Sequence, residues 1–297
     1  MSHDIAKPWV TGATGFVGRF LTARLPASSQ LHFGAPGWAE QLARADLRGA
    51  TVFHLAARVH DALPATAQDY RRDNVEKTEA LANAARKAGA RRLVFLSTVK
   101  VNGEETFDRP FTAADAPQPQ DDYARSKWEA EQRLAALGGL EICIVRCPLV
   151  YGARSAGNLG RLLRLADSPW PLPLAGIANR RSFIHVDDLV TLLLACATHG
   201  NASGATFVAA HPQPVSTAQV VATMRRHLGR PERLFAMGSA SLEALAALAG
   251  ARDKAMRLTR NLEVDASETT RRVGWSARAS LDDAVRDTVR GYREAAA

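Results

Sequence analysis

The sequence predicts an α/β fold with a doubly wound parallel sheet and a smaller, mostly helical lobe. Short apolar runs alternate with helical patterns through the first two-thirds of the chain, a glycine-rich turn follows the first run, and the alternation ends after about Tyr151. Alternating strand and helix is typical of a parallel sheet, because neighbouring parallel strands need a long crossover connection.

The predicted strands are short, apolar and without polar alternation, as expected for strands buried on both faces. They are residues 9–11, 51–55, 92–96 and 141–145. The helical patterns between them are residues 16–25, 70–88 and 123–137. Gly89 follows the second pattern and Gly138 the third, which is typical of helix C-terminal caps.

The second lobe is predicted because the regular alternation of strand and helix patterns ends after about Tyr151. Residues 168–173 form a proline-rich loop, and Ser216 is the N-cap of a helix that stops at Gly229. Further helices are expected at residues 239–249 and 280–295. The expected division is a first domain of residues 1–155 and 182–210, with residues 156–181 and 211–297 in the smaller lobe.

Composition limits the class of protein. Of 297 residues, 46% are hydrophobic and 23% charged, which is ordinary for a globular enzyme. No apolar run approaches the roughly 20 residues of a membrane span, and no secretory signal is expected. The three cysteines lack metal-like spacing, so neither a metal site nor a disulfide framework is expected, and a cytoplasmic location is predicted. The net charge of +8 comes from arginines interspersed with acids, which favours a solvated surface over nucleic-acid binding.

The glycine-rich turn is the first candidate for binding. Residues 11–18 read Thr-Gly-Ala-Thr-Gly-Phe-Val-Gly, directly after the first predicted strand. Glycines at this spacing let the chain turn tightly and let backbone amides approach a pyrophosphate. The following helix would present its N-terminus to the phosphates. The turn therefore indicates a dinucleotide site, with a plain structural turn as the alternative.

A tyrosine and a lysine four residues apart are the second candidate. Tyr123 and Lys127 fall on one face of a predicted helix. A lysine ammonium there is expected to lower the pKa of the phenol, which then exchanges a proton with a substrate oxygen. Such pairs are also common on solvated helix faces. Two features favour the catalytic interpretation: the helix begins after a long loop, and it follows the strand at residues 92–96.

These motifs together resemble the extended short-chain dehydrogenases/reductases, a family of Rossmann-type enzymes. Further resemblance lies in His-Leu-Ala-Ala at residues 54–57, Asp-Asn-Val at 73–75, Arg-Cys-Pro-Leu-Val-Tyr-Gly at 146–152 and Arg-Ser-Phe-Ile-His-Val-Asp-Asp at 181–188. The closest subgroup is the NAD-dependent epimerase/dehydratase family, with UDP-glucose 4-epimerase-like proteins and UDP-4-keto-sugar C4-reductases of bacterial polysaccharide loci. The resemblance thus implies NAD as the cofactor, with NADP left open. It also implies a UDP-sugar substrate and is compatible with a homodimer.

The resemblance also implies the site residues. The expected catalytic residues are Thr98, Tyr123 and Lys127, with Ser97 as an alternative hydroxyl beside Thr98. The expected cofactor-binding residues are Gly12, Thr14, Gly15, Phe16, Val17, Gly18, Leu55, Ala56, Ala57, Asn74, Tyr123, Lys127 and Pro148. The expected substrate-binding residues are Thr98, Tyr123, Asn158 and Arg181, of which Arg181 would bind diphosphate oxygens.

Three departures from the family pattern carry information. Residues 31–38, where an acid normally binds the ribose hydroxyl of NAD, contain neither an acid nor an arginine. Only 32 residues, 19–50, separate Gly18 from the next strong strand, which predicts the loss of one strand. The family glycine two residues after Val75 is Lys77 here.

Two further positions reduce the number of reactions that the family resemblance allows. Dehydratases of this family carry Asp-Glu directly after the catalytic threonine, whereas this chain has Val99 and Lys100. Dehydration is therefore disfavoured. Epimerisation and C4 reduction need the same three catalytic residues and remain open. A catalytically silent nucleotide-binding regulator is the alternative from another class.

Overall fold

The computed structural model describes residues 5–25, 27–59, 65–153, 155 and 157–296, with residues 158 and 296 described by their backbone only. The strands in this part of the chain are β1 Pro8–Thr11, β2 Ser29–Leu31, β3 Thr51–His54, β4 Arg92–Thr98, β5 Glu141–Cys147, β6 Leu149–Tyr151, β7 Phe183–His185 and β8 Ala205–Val208. Six of them form one sheet in the order β2-β1-β3-β4-β5-β8, with every neighbouring pair parallel. The predicted parallel α/β sheet is confirmed.

The helices alternate with these strands and then dominate the last third. They are α1 Phe16–Thr22, α2 Trp38–Arg44, α3 Ala67–Tyr70, α4 Lys77–Lys87, α5 Asp122–Ala135, α6 Gly157–Asp167, α7 Val186–Thr198, α8 Thr217–Leu228, α9 Ser239–Leu248, α10 Arg252–Thr259, α11 Ser267–Val273 and α12 Leu281–Ala296. Ser216 caps α8 and Gly229 ends it in the left-handed conformation, as predicted.

Both faces of the sheet are covered by helices. Phe53 and Val94 belong to one apolar cluster with residues of α1 and α7, whereas their chain neighbours Val52 and Leu93 belong to a second cluster with α4 and α5. Successive strand residues point to opposite faces, so an uninterrupted apolar run supplies both clusters. This arrangement places the carboxyl ends of β1, β3 and β4 side by side.

The edge of the sheet beyond β1 is shortened. Between Gly18 and β3, the described residues form one strand, β2, and one short helix, α2. β2 is the outermost strand of the sheet and pairs with β1. The described residues of this segment therefore contribute one strand to the sheet, and the loss of a family strand stays a prediction.

The helix predicted at residues 70–88 contains a distortion. A π-helical turn, Arg71–Glu76, joins α3 to α4 and carries Asn74 in a buried position. Such turns occur mostly as single insertions in α-helices and often mark functional positions.

The C-terminal helices form a separate apolar cluster. Residues of α6, α8 and α12 pack together, among them Leu163, Met224 and Val285. A small parallel sheet of β6 and β7 lies beside them, with Leu149 paired to Phe183. Screening of the described residues for an apolar helix of bilayer-spanning length gives no candidate.

Candidate functional site

The glycine-rich loop is held against the end of β3. Gly12 has φ +72°, and a Cβ on it would lie 2.7 Å from the backbone nitrogen of Ala56. A Cβ on Gly18 would lie 2.0 Å from the carbonyl oxygen of Gly12. Thr11 fixes the contact, since its hydroxyl accepts a hydrogen bond of 3.2 Å from the amide of Ala56. Only glycine fits at these two positions.

The expected cofactor residues of this region lie together. Gly15 occupies the N-cap of α1 without a side-chain cap, and Phe16 and Val17 form the first turn. Leu55, Ala56 and Ala57 follow β3 directly and are half-buried. The result is a cradle of backbone between two strand ends, bordered by the exposed Thr14. A backbone cradle at the N-terminus of a helix fits a dinucleotide pyrophosphate.

Asn74 connects this region to α5. Its side-chain amide donates to the carbonyl oxygen of Arg58 at 3.0 Å and to the hydroxyl of Ser126 at 2.9 Å, and its oxygen accepts from the Arg58 amide at 2.7 Å. Ser126 in turn donates to the carbonyl oxygen of Tyr123 at 2.7 Å. Asn74 therefore holds the segment after β3 in register with the helix that carries the tyrosine.

The three expected catalytic residues meet where β4 ends and α5 begins. Asp121 caps α5 by accepting from the amide of Ala124 at 2.7 Å, so Tyr123 and Lys127 lie in the first turns. The hydroxyl of Thr98 hydrogen-bonds the phenol of Tyr123. Ser97 points elsewhere, because its hydroxyl donates to Glu131 at 2.5 Å. Of the two candidate hydroxyls, Thr98 is the one beside the tyrosine.

Burial controls the protonation of this group. It raises the pKa of the Tyr123 phenol above its usual value, with further contributions from Cys147 and Asp121, while the hydrogen bond from Thr98 acts in the opposite direction. Burial also lowers the pKa of Lys127 to about 7. Burial of the phenol thus acts in the direction opposite to the lowering that is expected from Lys127 together with a bound nicotinamide. At neutral pH Tyr123 is in its proton-donating form.

A buried polar network that the sequence analysis missed lies behind these residues. Arg146 of β5 and Glu131 of α5 form an ion pair at 2.6 Å, with side chains only 4% and 2% exposed. Arg146 also donates to Asn102 at 3.2 Å. Glu131 lies eight residues after Tyr123 and four after Lys127, so all three share one face of α5. That spacing was the available sequence signal.

Pro148, another expected cofactor residue, follows β5 and is buried. It comes directly after Cys147, whose thiol donates to the carbonyl oxygen of Ser97 at 3.4 Å. The segment is thus fixed against the end of β4, beside Thr98. The three cysteines of the chain are buried free thiols. In the described residues, no group of three His, Cys, Asp or Glu side chains is arranged to hold a metal ion.

A cleft of about 690 Å³ extends from the start of α5 towards α10. Asp121 lies at one end of its lining, and Arg181, Arg257 and Arg260 contribute its basic residues together with Arg109. Arg181 donates to the carbonyl oxygen of Arg260 at 3.0 Å. The pKa of Arg181 is lowered to about 10, mainly by burial; Glu104 acts to raise it and Arg257 adds to the lowering.

The structure brings two guanidinium groups of this cleft close enough to repel each other. Neither Arg181 nor Arg257 has a carboxylate within ion-pair distance among the described residues, whereas Arg260 pairs with Glu105 and Glu243. The sequence analysis found Arg181 and missed Arg257, which comes from a helix without a recognisable motif. Asn158 lies at the start of α6, and its side chain is outside the described residues.

The sequence of this chain is similar to those of known proteins. A profile of the NAD dependent epimerase/dehydratase family matches residues 39–210. UDP-glucose 4-epimerase from Vibrio cholerae is 35% identical over 254 residues, covering 82% of this chain and 77% of that protein.

Two solved structures share the fold. RMD from Pseudomonas aeruginosa complexed with NADPH superposes with a TM-score of 0.78 at 18% identity, over 97% of this chain and 99% of that one. UDP-glucuronic acid 4-epimerase from Bacillus cereus in complex with NAD gives a TM-score of 0.76 at 18% identity, over 97% and 99% of the two chains. Both similarities concern nearly the whole chain.

Proposed function

Because the chain belongs to the NAD-dependent epimerase/dehydratase family, we propose that it acts at C4 of a UDP-sugar, as a 4-epimerase or a 4-keto-sugar reductase. The observation that carries the proposal is the contact of the Thr98 hydroxyl with the Tyr123 phenol, one helical turn from the buried Lys127. A hydroxyl donor and a proton-exchanging phenol side by side suit the oxidation and reduction of a secondary alcohol.

The residues of the chain account for the proton transfer. As a phenol, Tyr123 would donate its proton to the oxygen when a 4-keto group is reduced; as a phenolate, it would take the proton of the C4 hydroxyl when the sugar is oxidised. Thr98 would orient that oxygen towards Tyr123. Lys127 would help to hold the cofactor ribose and would supply the positive charge that favours the phenolate. NAD, when bound, supplies the acceptor and the donor of hydride at C4.

One end of the site would bind the sugar of the substrate, and the other end would bind its diphosphate. Thr98 and Tyr123 would contact the sugar, while Arg181 and Arg257 would bind the diphosphate, since guanidinium groups match its oxygens. Asn158 is proposed to contact the nucleotide diphosphate from α6. The dinucleotide would lie along residues 12–18 and 55–57, in a first domain of residues 1–155 and 182–210.

Epimerisation and reduction are both favoured over dehydration. Val99 is buried, and the ammonium of Lys100 pairs with Asp121 and with Glu104, the latter at 2.7 Å. Neither position following Thr98 therefore offers an acid or a base to expel water from the sugar. The similarity to UDP-glucose 4-epimerase supports the epimerase. A role in bacterial polysaccharide synthesis is proposed from the resemblance of the sequence.

The test is a substrate panel. UDP-glucose, UDP-galactose and their N-acetylamino counterparts are incubated with the protein and NAD, and the products are separated by chromatography. A matching set of UDP-4-keto sugars is offered with NADH. Interconversion of a C4 pair supports the epimerase, and NADH oxidation by a 4-keto sugar supports the reductase. Turnover in neither set, with a protein that is folded and binds NAD, would contradict the proposal.

A further inference from the structure

The ribose-binding position at the end of β2 holds a charge from another part of the chain. Residues 31–38 contain no acid and no arginine. The ammonium of Lys77, from the first turn of α4, donates to the carbonyl oxygen of Phe33 at 2.9 Å. It also lies 5.7 Å from the ring centroid of Trp38. The tertiary structure therefore places the Lys77 ammonium beside a segment that has no acid and no arginine of its own.

The location is the one at which dinucleotide-binding sheets distinguish their cofactors. In such folds an acid near the end of the second strand binds the ribose 2′-hydroxyl, while a nearby cation accommodates a 2′-phosphate. β2 pairs with β1 in register up to Leu31, opposite Thr11 at the start of the glycine-rich loop. Phe33 is two residues beyond that pair. Lys77 thus reaches the ribose end of the proposed dinucleotide site.

Lys77 shares its position with an acid from the same helical segment. Asp73 lies 2.8 Å from the Lys77 ammonium, and it also contacts Arg58 at 2.7 Å and Arg72 at 3.4 Å. Arg72 has a second partner, Asp69, at 3.0 Å. Three cations and two carboxylates give this cluster a net charge of 3 − 2 = +1. Lys77 and Asp73 are mostly buried, with 15% and 14% of their side chains exposed.

We propose that Lys77 binds the 2′-phosphate of NADP(H) and that Asp73 provides the acceptor for the 2′-hydroxyl of NAD(H). The inference rests on the proposed dinucleotide site and extends it to both cofactors. A phosphate monoester carries about −1.5 to −2 charge at neutral pH, so it would draw the ammonium partly away from Asp73. With both groups present, the affinities for NADH and NADPH stay within about tenfold of each other.

Direct binding measurements test the assignment without relying on turnover. NADH and NADPH are titrated separately into the full-length apo protein at neutral pH, followed by calorimetry. Lys77→Met removes the charge and keeps an apolar side chain against Trp38. It is expected to weaken NADPH binding at least tenfold and to change NADH binding less than threefold. Lys77→Arg, which keeps the charge, should retain NADPH binding.

Two further variants make the test specific. Asp73→Asn should shift the ratio of affinities towards NADPH, opposite to Lys77→Met, because it removes a negative charge beside the phosphate. Lys87→Met makes the same substitution ten residues along α4, about 15 Å away, and should leave both affinities unchanged. Circular dichroism confirms that each variant is folded.

The outcomes separate this inference from the proposed function. If NADH binds but Lys77→Met weakens both cofactors equally, or neither, the assignment of Lys77 is overturned while the dinucleotide site stands. If the folded wild-type protein binds neither cofactor, the dinucleotide site and the role of Lys77 are both overturned.

Discussion

The ammonium of Lys127 lies 3.8 Å from the centroid of the Phe95 ring, inside a site where the residue is only 1% exposed. Burial lowers its pKa to about 7, although Glu131, one turn further along α5, acts to raise it. A cation over an aromatic face recovers part of the lost hydration energy. The apo protein therefore carries a lysine that costs stability whenever it is charged.

The first prediction is that Lys127→Met stabilises the apo protein more at low pH than at high pH. The pKa is 10.5 in the unfolded chain and about 7 in the folded one, so the unfolded state binds more protons between these values. The contribution of Lys127 to stability therefore rises with pH in that window. The gain from Lys127→Met should be larger by about 2.7 kcal/mol at pH 6 than at pH 9. Urea unfolding at the two pH values measures it.

A matched control is Lys87→Met at the exposed end of α4, whose stability difference from wild type should not depend on pH. An equal effect of Lys127→Met at both pH values would show that the lysine is not desolvated in the folded apo protein.

The second prediction concerns Tyr123→Phe, which removes the phenol oxygen and keeps the ring. If Tyr123 exchanges the proton with the sugar oxygen, turnover should fall by at least about 100-fold. The folding midpoint and the affinity for NADH should change little, because the ring remains. Steady-state kinetics with the active substrate of the panel, beside NADH titration, gives both numbers. Turnover within a few-fold of wild type would contradict the role.

The third prediction concerns the ion pair of Arg146 with Glu131. Arg146→Met leaves a buried carboxylate that, among the described residues, keeps the Ser97 hydroxyl as its side-chain donor, so the free energy of unfolding should fall by about 3–5 kcal/mol. Replacing both partners by methionine removes the uncompensated charge, and the double variant should recover most of the loss. Denaturant unfolding of the two single variants and the double variant measures the coupling. A double variant as unstable as the sum of the singles would show that the two side chains act independently.

The fourth prediction is that the two arginines of the cleft contribute to UDP-sugar binding and not to dinucleotide binding. Arg181→Ala and Arg257→Ala should each weaken UDP-sugar binding about tenfold or more, since a hydrogen bond to a charged group is worth about 1.5–3 kcal/mol. The affinity for NADH should remain within about twofold. Calorimetry with UDP and with NADH measures the two sites separately. Loss of both affinities together would indicate a structural role for the arginine.

The sequence alone predicted the parallel sheet, the glycine-rich loop and the pair Tyr123 and Lys127, and the family resemblance added Thr98. The first three features depend on local patterns. An apolar run predicts a strand, glycines predict a tight turn, and a spacing of four places two side chains on one helix face. The number of residues between Gly18 and β3 also limits how many elements fit there. A local sequence pattern is enough to predict a feature when the residues that determine it lie within one turn or one strand.

Only the tertiary structure decided which polar groups meet. It placed Thr98 rather than Ser97 beside Tyr123, brought Arg257 of α10 towards Arg181, and carried Lys77 to the carbonyl of Phe33, 44 residues earlier. It also decided the burial that raises the pKa of Tyr123, since desolvation depends on everything that surrounds a group. Contacts between distant segments and the burial of charge arise from packing as a whole, and no spacing along the chain encodes them.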